Sequence, residues 1–209
     1  IRLAVRQAMR IMGHQFVMGR SIDEALKRSV SGDNAAYRYS FDMLGEGALT
    51  RKDAARYLQA YRDAIRAIGA GGPYPDVLAA PSISVKLSAL HPRYELAKRA
   101  RVQAELTPRV LELAQLAKSY GIGFTIDAEE ADRLELSLDV IAGAYSDASL
   151  DGWEGYGLAI QAYQKRAPEA IDFIADLARR TGRRIPVRLV KGAYWDSEVK
   201  RAQVDGQAG

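Results

Sequence analysis

Five times along this chain an apolar, β-like run gives way to a stretch with helical periodicity, and that alternation restricts the fold more than any other feature. The β-like runs cover residues 39–44, 82–87, 121–127, 155–161 and 185–190. After the first, Thr50-Arg51-Lys52-Asp53 resembles a capping box, and Leu58, Tyr61, Ile65 and Ile68 follow at spacings of three and four until Gly69 ends the helix. After the second, Val102, Leu106, Val110, Leu113 and Leu116 share one face, with Pro108 expected to kink or restart the helix. Leu134, Leu138 and Ile141 mark the next helix. Ile171, Ile174 and Leu177 mark the one after, which Pro168 suits at its first turn and Thr181-Gly182 stops. Strands joined by helical crossovers pair in parallel, so the expected fold is α/β with a parallel sheet.

Two parallel architectures compete, an open doubly wound sheet and a (β/α)8 barrel. The first strand–helix turn lacks the Gly-x-Gly-x-x-Gly that cradles a dinucleotide phosphate in the open sheet. Polar residues instead stand at or near the C-terminal end of every strand: Asp42, Lys86, Asp127, Gln161 and Arg188. A barrel draws its catalytic groups from those positions on several strands, so the barrel is the expected fold. Five β/α units fall short of the eight that a barrel uses. Residues 39–209 are therefore expected to form a partial barrel with its C-terminal strands missing. Residues 1–38 form an N-terminal arm with helix-like patterns at 5–16 and 22–30.

Composition removes several function classes. The absence of cysteine excludes disulfides and thiolate metal sites, and two histidines are too few for a His-rich metal centre. No apolar run approaches the roughly 18 residues of a membrane span. The formal charge of +4 is interleaved with acids, and Lys98-Arg99-Ala100-Arg101 reads as a solvated helix face, so no nucleic acid is expected on this segment.

The strand ends carry the candidate chemistry. Arg188 lies in an otherwise aliphatic run, where a guanidinium must be paired or must face a ligand. That run stops at Gly192 and releases Lys191, Ala193, Tyr194, Trp195 and Asp196 together, the make-up of a ligand rim. Lys86, flanked by Val85 and Leu87, is expected to meet a ligand or a carboxylate. Asp42 could pair with Lys86 or cap the following helix, and Asp127 could serve the site or cap a helix. Gln161 could meet a heterocycle or satisfy buried backbone, Tyr194 and Trp195 could stack on a flat ligand, and His91 could contact ligand or bond within its loop. Two cations, two carboxylates and an amide around one mouth suit a planar, polar-edged cofactor or a carboxylated substrate.

Several strings resemble the proline dehydrogenase domain of the proline utilisation A family of bifunctional flavoenzymes. They are residues 38–46, Val85-Lys86-Leu87-Ser88-Ala89-Leu90-His91-Pro92-Arg93-Tyr94, residues 126–134, Gln161-Ala162-Tyr163-Gln164-Lys165-Arg166, and residues 188–198. The resemblance implies a (β/α)8 barrel with FAD at the C-terminal strand ends. It also implies oxidation of L-proline to pyrroline-5-carboxylate and electron transfer to membrane quinone. Asp127, Ala128, Gln161, Arg188, Val190, Gly192, Ala193, Tyr194 and Trp195 would contact FAD; Lys86, Asp42 and Arg188 would be catalytic, with Lys86 near the proline carboxylate. A pyrroline-5-carboxylate dehydrogenase module would lie elsewhere in the same longer chain. The setting would be cytoplasmic, at most peripheral to the inner membrane. Two rivals stand beside this: a Schiff-base aldolase using Lys86, and a non-catalytic barrel fragment.

Overall fold

The computed structural model describes residues 17–43 and 47–207, with the isolated positions Val5, Met9, Met12 and Gly13. The helical pattern expected over residues 5–16 and the end of the first expected strand at Leu44 thus fall outside the described residues, those isolated positions aside. The chain divides into two units, Ile1–Tyr39 and Ser40–Gly209. In the first, helix α1 (Ile22–Ser29) begins where the Ser21 side chain accepts the Glu24 N–H, and Glu24 in return accepts the Arg20 N–H at 2.9 Å. Acids in its first turn and Lys27 and Arg28 in its last match the helix dipole.

The second unit holds five strands: β1 (Ser40–Asp42), β2 (Ser82–Val85), β3 (Gly123–Ile126), β4 (Tyr156–Gln161) and β5 (Val187–Val190). All neighbours are parallel, and their order in the sheet is their order in the sequence. A doubly wound sheet reverses direction at a switch point, whereas a barrel adds strands in sequence order. The observed order is that of a barrel wall. Between the strands run α2 (Arg51–Gly69), the short α3 (Leu87–Leu90), α4 (Arg99–Ser119), α5 (Leu134–Tyr145) and α6 (Ala167–Thr181); α7 (Trp195–Val204) follows β5. Among the described residues no helix is long and apolar enough to cross a membrane.

Helix α2 has the expected capping box, with Thr50 and Asp53 each accepting the other's backbone N–H. Tyr61, Ile65 and Ile68 are fully buried on its inner face, while Leu58 is half-buried. Gly69 allows the Tyr120 ring to pack where a Cβ would stand 2.2 Å from its Cγ. Helix α4 is continuous through Pro108, so the expected restart does not occur. The lost backbone hydrogen bond is offset by burial of Val102, Leu106, Val110 and Leu113, each worth roughly 1.5–3 kcal/mol. Arg62 of α2 clasps Glu112 of α4 with both Nε (2.5 Å) and Nη2 (2.8 Å).

Two helix faces differ from expectation. In α5 the buried stripe is Leu136, Val140 and Ala144 with Ser137, Ile141 and Tyr145, while Leu134 and Leu138 flank it against a small void below β4. Ile171 of α6 is 42% exposed, because Ala167, Ala170, Ile174 and Leu177 make the inner contact.

Strands β3 and β4 are buried along their whole length, as central strands covered on both faces should be. Strand β5 is not the buried strand that its aliphatic sequence suggests. It pairs only with β4 among the described residues, Leu189 is 62% exposed, and the Arg188 side chain is 43% exposed.

Core and mouth meet at Tyr61, whose hydroxyl accepts the Lys86 backbone N–H at 3.1 Å just past the end of β2. Tyr61→Phe should leave that donor unsatisfied and lower stability by about 1–3 kcal/mol in urea unfolding. An unchanged midpoint would show that the hydroxyl does not hold the strand end.

Candidate functional site

Parallel strands bring their C-terminal ends to one rim, and four charged side chains meet there. Asp42 ends β1, Lys86 follows β2, Asp127 follows β3, and Arg188 lies in β5. The Lys86 ammonium donates to both Asp42 oxygens, at 2.8 and 3.1 Å, and stands 3.5 Å from Asp127 Oδ2. On its other oxygen Asp127 accepts Nη2 of Arg188. The result is a chain of alternating charge, Asp42, Lys86, Asp127, Arg188, spanning β1 to β5. Asp127 is the least exposed of the four, at 14%. Burial raises its carboxyl above the usual aspartate range; Arg188 and Lys86 pull it down and Asp42 pushes it up, but desolvation dominates.

Asp42 and Asp127 both form ion pairs rather than helix caps, and Thr50 caps α2. Gln161, the last residue of β4, is 4% exposed and bridges two loops. Its Nε2 donates to the Glu129 carbonyl at 2.6 Å and its Oε1 accepts the Ala193 N–H at 3.2 Å. Val190 pairs with it in the β4–β5 ladder. Ala128 lines the small void beside β4, and Trp195 opens α7 with 49% of its surface exposed. Gly192 has φ +114°, and a Cβ there would stand 2.3 Å from the Tyr163 ring and 3.0 Å from Gln161 Oε1. A protein contact, then, requires the glycine.

Beside the rim opens a cavity of about 520 Å³ whose walls include Lys86, Tyr194, His91, Glu129 and Arg133. Burial raises the Tyr194 phenol, keeping it a neutral donor at its wall. His91 is 1% exposed, its Nε2 is 3.2 Å from Glu105 Oε2 and its Nδ1 accepts the Arg93 N–H at 3.1 Å. With both nitrogens engaged and its pKa lowered by burial, it serves the loop.

Sequence reasoning assigned no role to Glu129, Arg133, Tyr163 or Glu198. Glu129 has a 3% exposed side chain that accepts the Ser88 N–H at 3.0 Å and Arg133 Nη1 at 2.9 Å. The clue available was a second acid two residues after Asp127; its main partner, a backbone N–H 41 residues away, has no sequence signature.

Comparison with known proteins identifies the family. A family model described as proline dehydrogenase matches residues 25–208. The bifunctional protein PutA of Escherichia coli is 54% identical over 209 residues, covering 100% of this chain and 16% of that protein. The PutA of Rhizobium meliloti is 57% identical over 212 residues, covering 100% of this chain and 17% of that protein. A crystal structure of a Bradyrhizobium japonicum proline utilization A mutant superposes with TM-score 0.86 at 59% identity, over 98% of this chain and 21% of that one. The chain therefore spans about a sixth of the length of these curated relatives. The structural neighbours have a TIM-barrel-like fold, and the parallel five-stranded sheet is part of such a barrel.

Two results are expected from this geometry. Gly192→Ala should force the Tyr163 ring or the turn to move and cost about 1–3 kcal/mol, read as a fall in thermal midpoint; an unchanged midpoint would contradict the packing. The raised Asp127 pKa means that the folded state holds that proton more tightly than the unfolded chain. Its contribution to stability is complete below the usual aspartate pKa and is lost as pH rises through the higher folded value. Asp127→Asn should therefore flatten the pH–stability curve just above the ordinary aspartate range, as followed by unfolding at a series of pH values.

Proposed function

The chain belongs to the proline dehydrogenase family, and on that premise we propose that it is the proline-oxidising segment of a longer flavoenzyme. The observation that carries this reading is the charge array at the strand ends, Asp42, Lys86, Asp127 and Arg188, beside a cavity large enough for a small amino acid.

The donor set fits a flavin. Arg188 keeps part of its guanidinium accessible while Asp127 holds its other edge, so the group is fixed in direction and still able to face a ligand. Trp195 offers an exposed aromatic plane at the same turn. Asp127, Ala128, Gln161, Arg188, Val190, Gly192, Ala193, Tyr194 and Trp195 are the residues proposed to hold FAD. Gln161 would reach it only with the donor and acceptor capacity left over from its two backbone bonds. When bound, the flavin supplies the two-electron acceptor for amine oxidation.

This chain's own residues then do the following. Lys86, steadied by Asp42, provides positive charge for the proline carboxylate. Arg188 would offer a fixed positive charge to the anionic edge of a bound flavin. Asp127 keeps Lys86 and Arg188 apart and aimed. The phenol of Tyr194 closes the cavity wall near Lys86 and limits the ligand to something compact. The proposal extends to pyrroline-5-carboxylate as product, membrane quinone as the final electron acceptor, a linked pyrroline-5-carboxylate dehydrogenase module, and a cytoplasmic setting with at most peripheral attachment to the inner membrane.

A Schiff-base role for Lys86 is disfavoured by the geometry. A nucleophilic lysine must be neutral, and two carboxylates within 3.5 Å favour its charged form.

The protein expressed from its complete gene should show a flavin spectrum that L-proline bleaches anaerobically. Arg188→Met should lower proline turnover by roughly a hundredfold to a thousandfold, the range seen when one stabilising donor is removed. A spectrum untouched by proline would sink the function, and normal turnover in Arg188→Met would sink the role given to that arginine.

A further inference from the structure

Helix α7 is fastened to the rim by one side chain that the proposed chemistry does not use. Glu198 Oε1 accepts the Ala131 N–H at 2.7 Å, in the loop after β3. Its Oε2 accepts the Tyr163 hydroxyl at 2.5 Å, in the loop after β4. One turn later Arg201 pairs with Asp132 at 3.2 Å, adding a second tie to the loop after β3. The Tyr163 ring lies against the Cα of Gly192, where no other residue type would leave room. From Gly192 the chain continues directly to Ala193, whose N–H is held by Gln161, and to Tyr194 in the cavity wall.

From this connectivity we infer that Glu198 is a positioning residue. Its carboxylate ties the loops after β3 and β4 to the helix after β5, and through the Tyr163 ring it sets the height of the Gly192–Ala193–Tyr194 turn over the rim. The inference rests on the functional reading above for what the turn serves, although the clamp itself is a property of this chain alone. Each carboxylate oxygen satisfies a donor from a different loop, so the two loops cannot drift apart without leaving a buried or half-buried donor unpaired. Glutamine keeps one carbonyl acceptor and the same length, and its amide N–H₂ can donate to the Tyr163 oxygen. Alanine keeps neither.

Hydrogen–deuterium exchange and flavin titration on the protein from the complete gene test this. Glu198→Ala should speed exchange about tenfold or more in peptides covering residues 128–134 and 190–198. It should also weaken flavin affinity about tenfold to a hundredfold, the effect of one or two unpaired donors. Glu198→Gln should stay within a few-fold of the parent in both measurements. Tyr163→Phe removes a single hydroxyl and serves if the alanine variant fails to fold. It should speed exchange in 190–198 while 128–134 stays protected by the Ala131 bond. Unchanged exchange in 190–198 for both Glu198→Ala and Tyr163→Phe, or equal damage from glutamine and alanine, would overturn the inference. If the exchange pattern appears but proline leaves the parent flavin spectrum unbleached, the clamp stands and the functional reading falls.

Discussion

The Lys86 ammonium, held between Asp42 and Asp127, is the interaction on which the site is built. An amine and two carboxylates from three neighbouring strands leave one net negative charge, which a guanidinium from a fourth strand balances. Asp127 carries the arrangement onward to Arg188. Because the strands are parallel, all four groups arrive at the same end of the sheet without any special loop geometry. The ladder register then places Gln161 opposite Val190, two residues beyond Arg188, so the last central strand and the edge strand deliver their polar ends together.

Around that array lies a layer of side chains whose partners are mostly backbone. Gln161 joins the loops after β3 and β5, Glu129 joins the loops after β2 and β3, and Glu198 joins α7 to the loops after β3 and β4. Loops are the mobile part of a barrel rim, and backbone N–H groups tied to carboxylates are among the stronger ways to still them. The charges do the chemistry proposed here, and this layer keeps them at fixed separations.

Much of this was legible before any coordinates. The alternation of β-like and helical runs places all five strands, and the polar residue at each strand end is among those brought to the rim. Local patterns failed where burial depends on non-local neighbours. Leu134, Leu138 and Ile141 were expected to share the inner face of α5, yet only Ile141 is buried there, with Leu136, Val140 and Ala144, while Leu134 and Leu138 are half-buried. The aliphatic sequence of β5 is that of a covered strand, while in this 209-residue stretch it has only β4 beside it among the described residues, and Leu189 and Arg188 are exposed. Arg188 did find the partner its chemistry required, Asp127, 61 residues earlier in the chain. Glu129 and Glu198 were silent because each binds a backbone N–H distant in sequence, a donor common to nearly every residue, beside its one side-chain partner.

Asp127 and Arg188 form one ion pair, and the proposal has them act as a unit toward a bound flavin. A double-mutant cycle on the reduction potential of the bound flavin tests it most directly, using Asp127→Asn, Arg188→Met and the combination in the protein from the complete gene. A paired unit predicts that the shift of the double variant departs clearly from the signed sum of the two single shifts. Strictly additive shifts would mean that the two side chains act independently, and the pairing would then have no part in the chemistry.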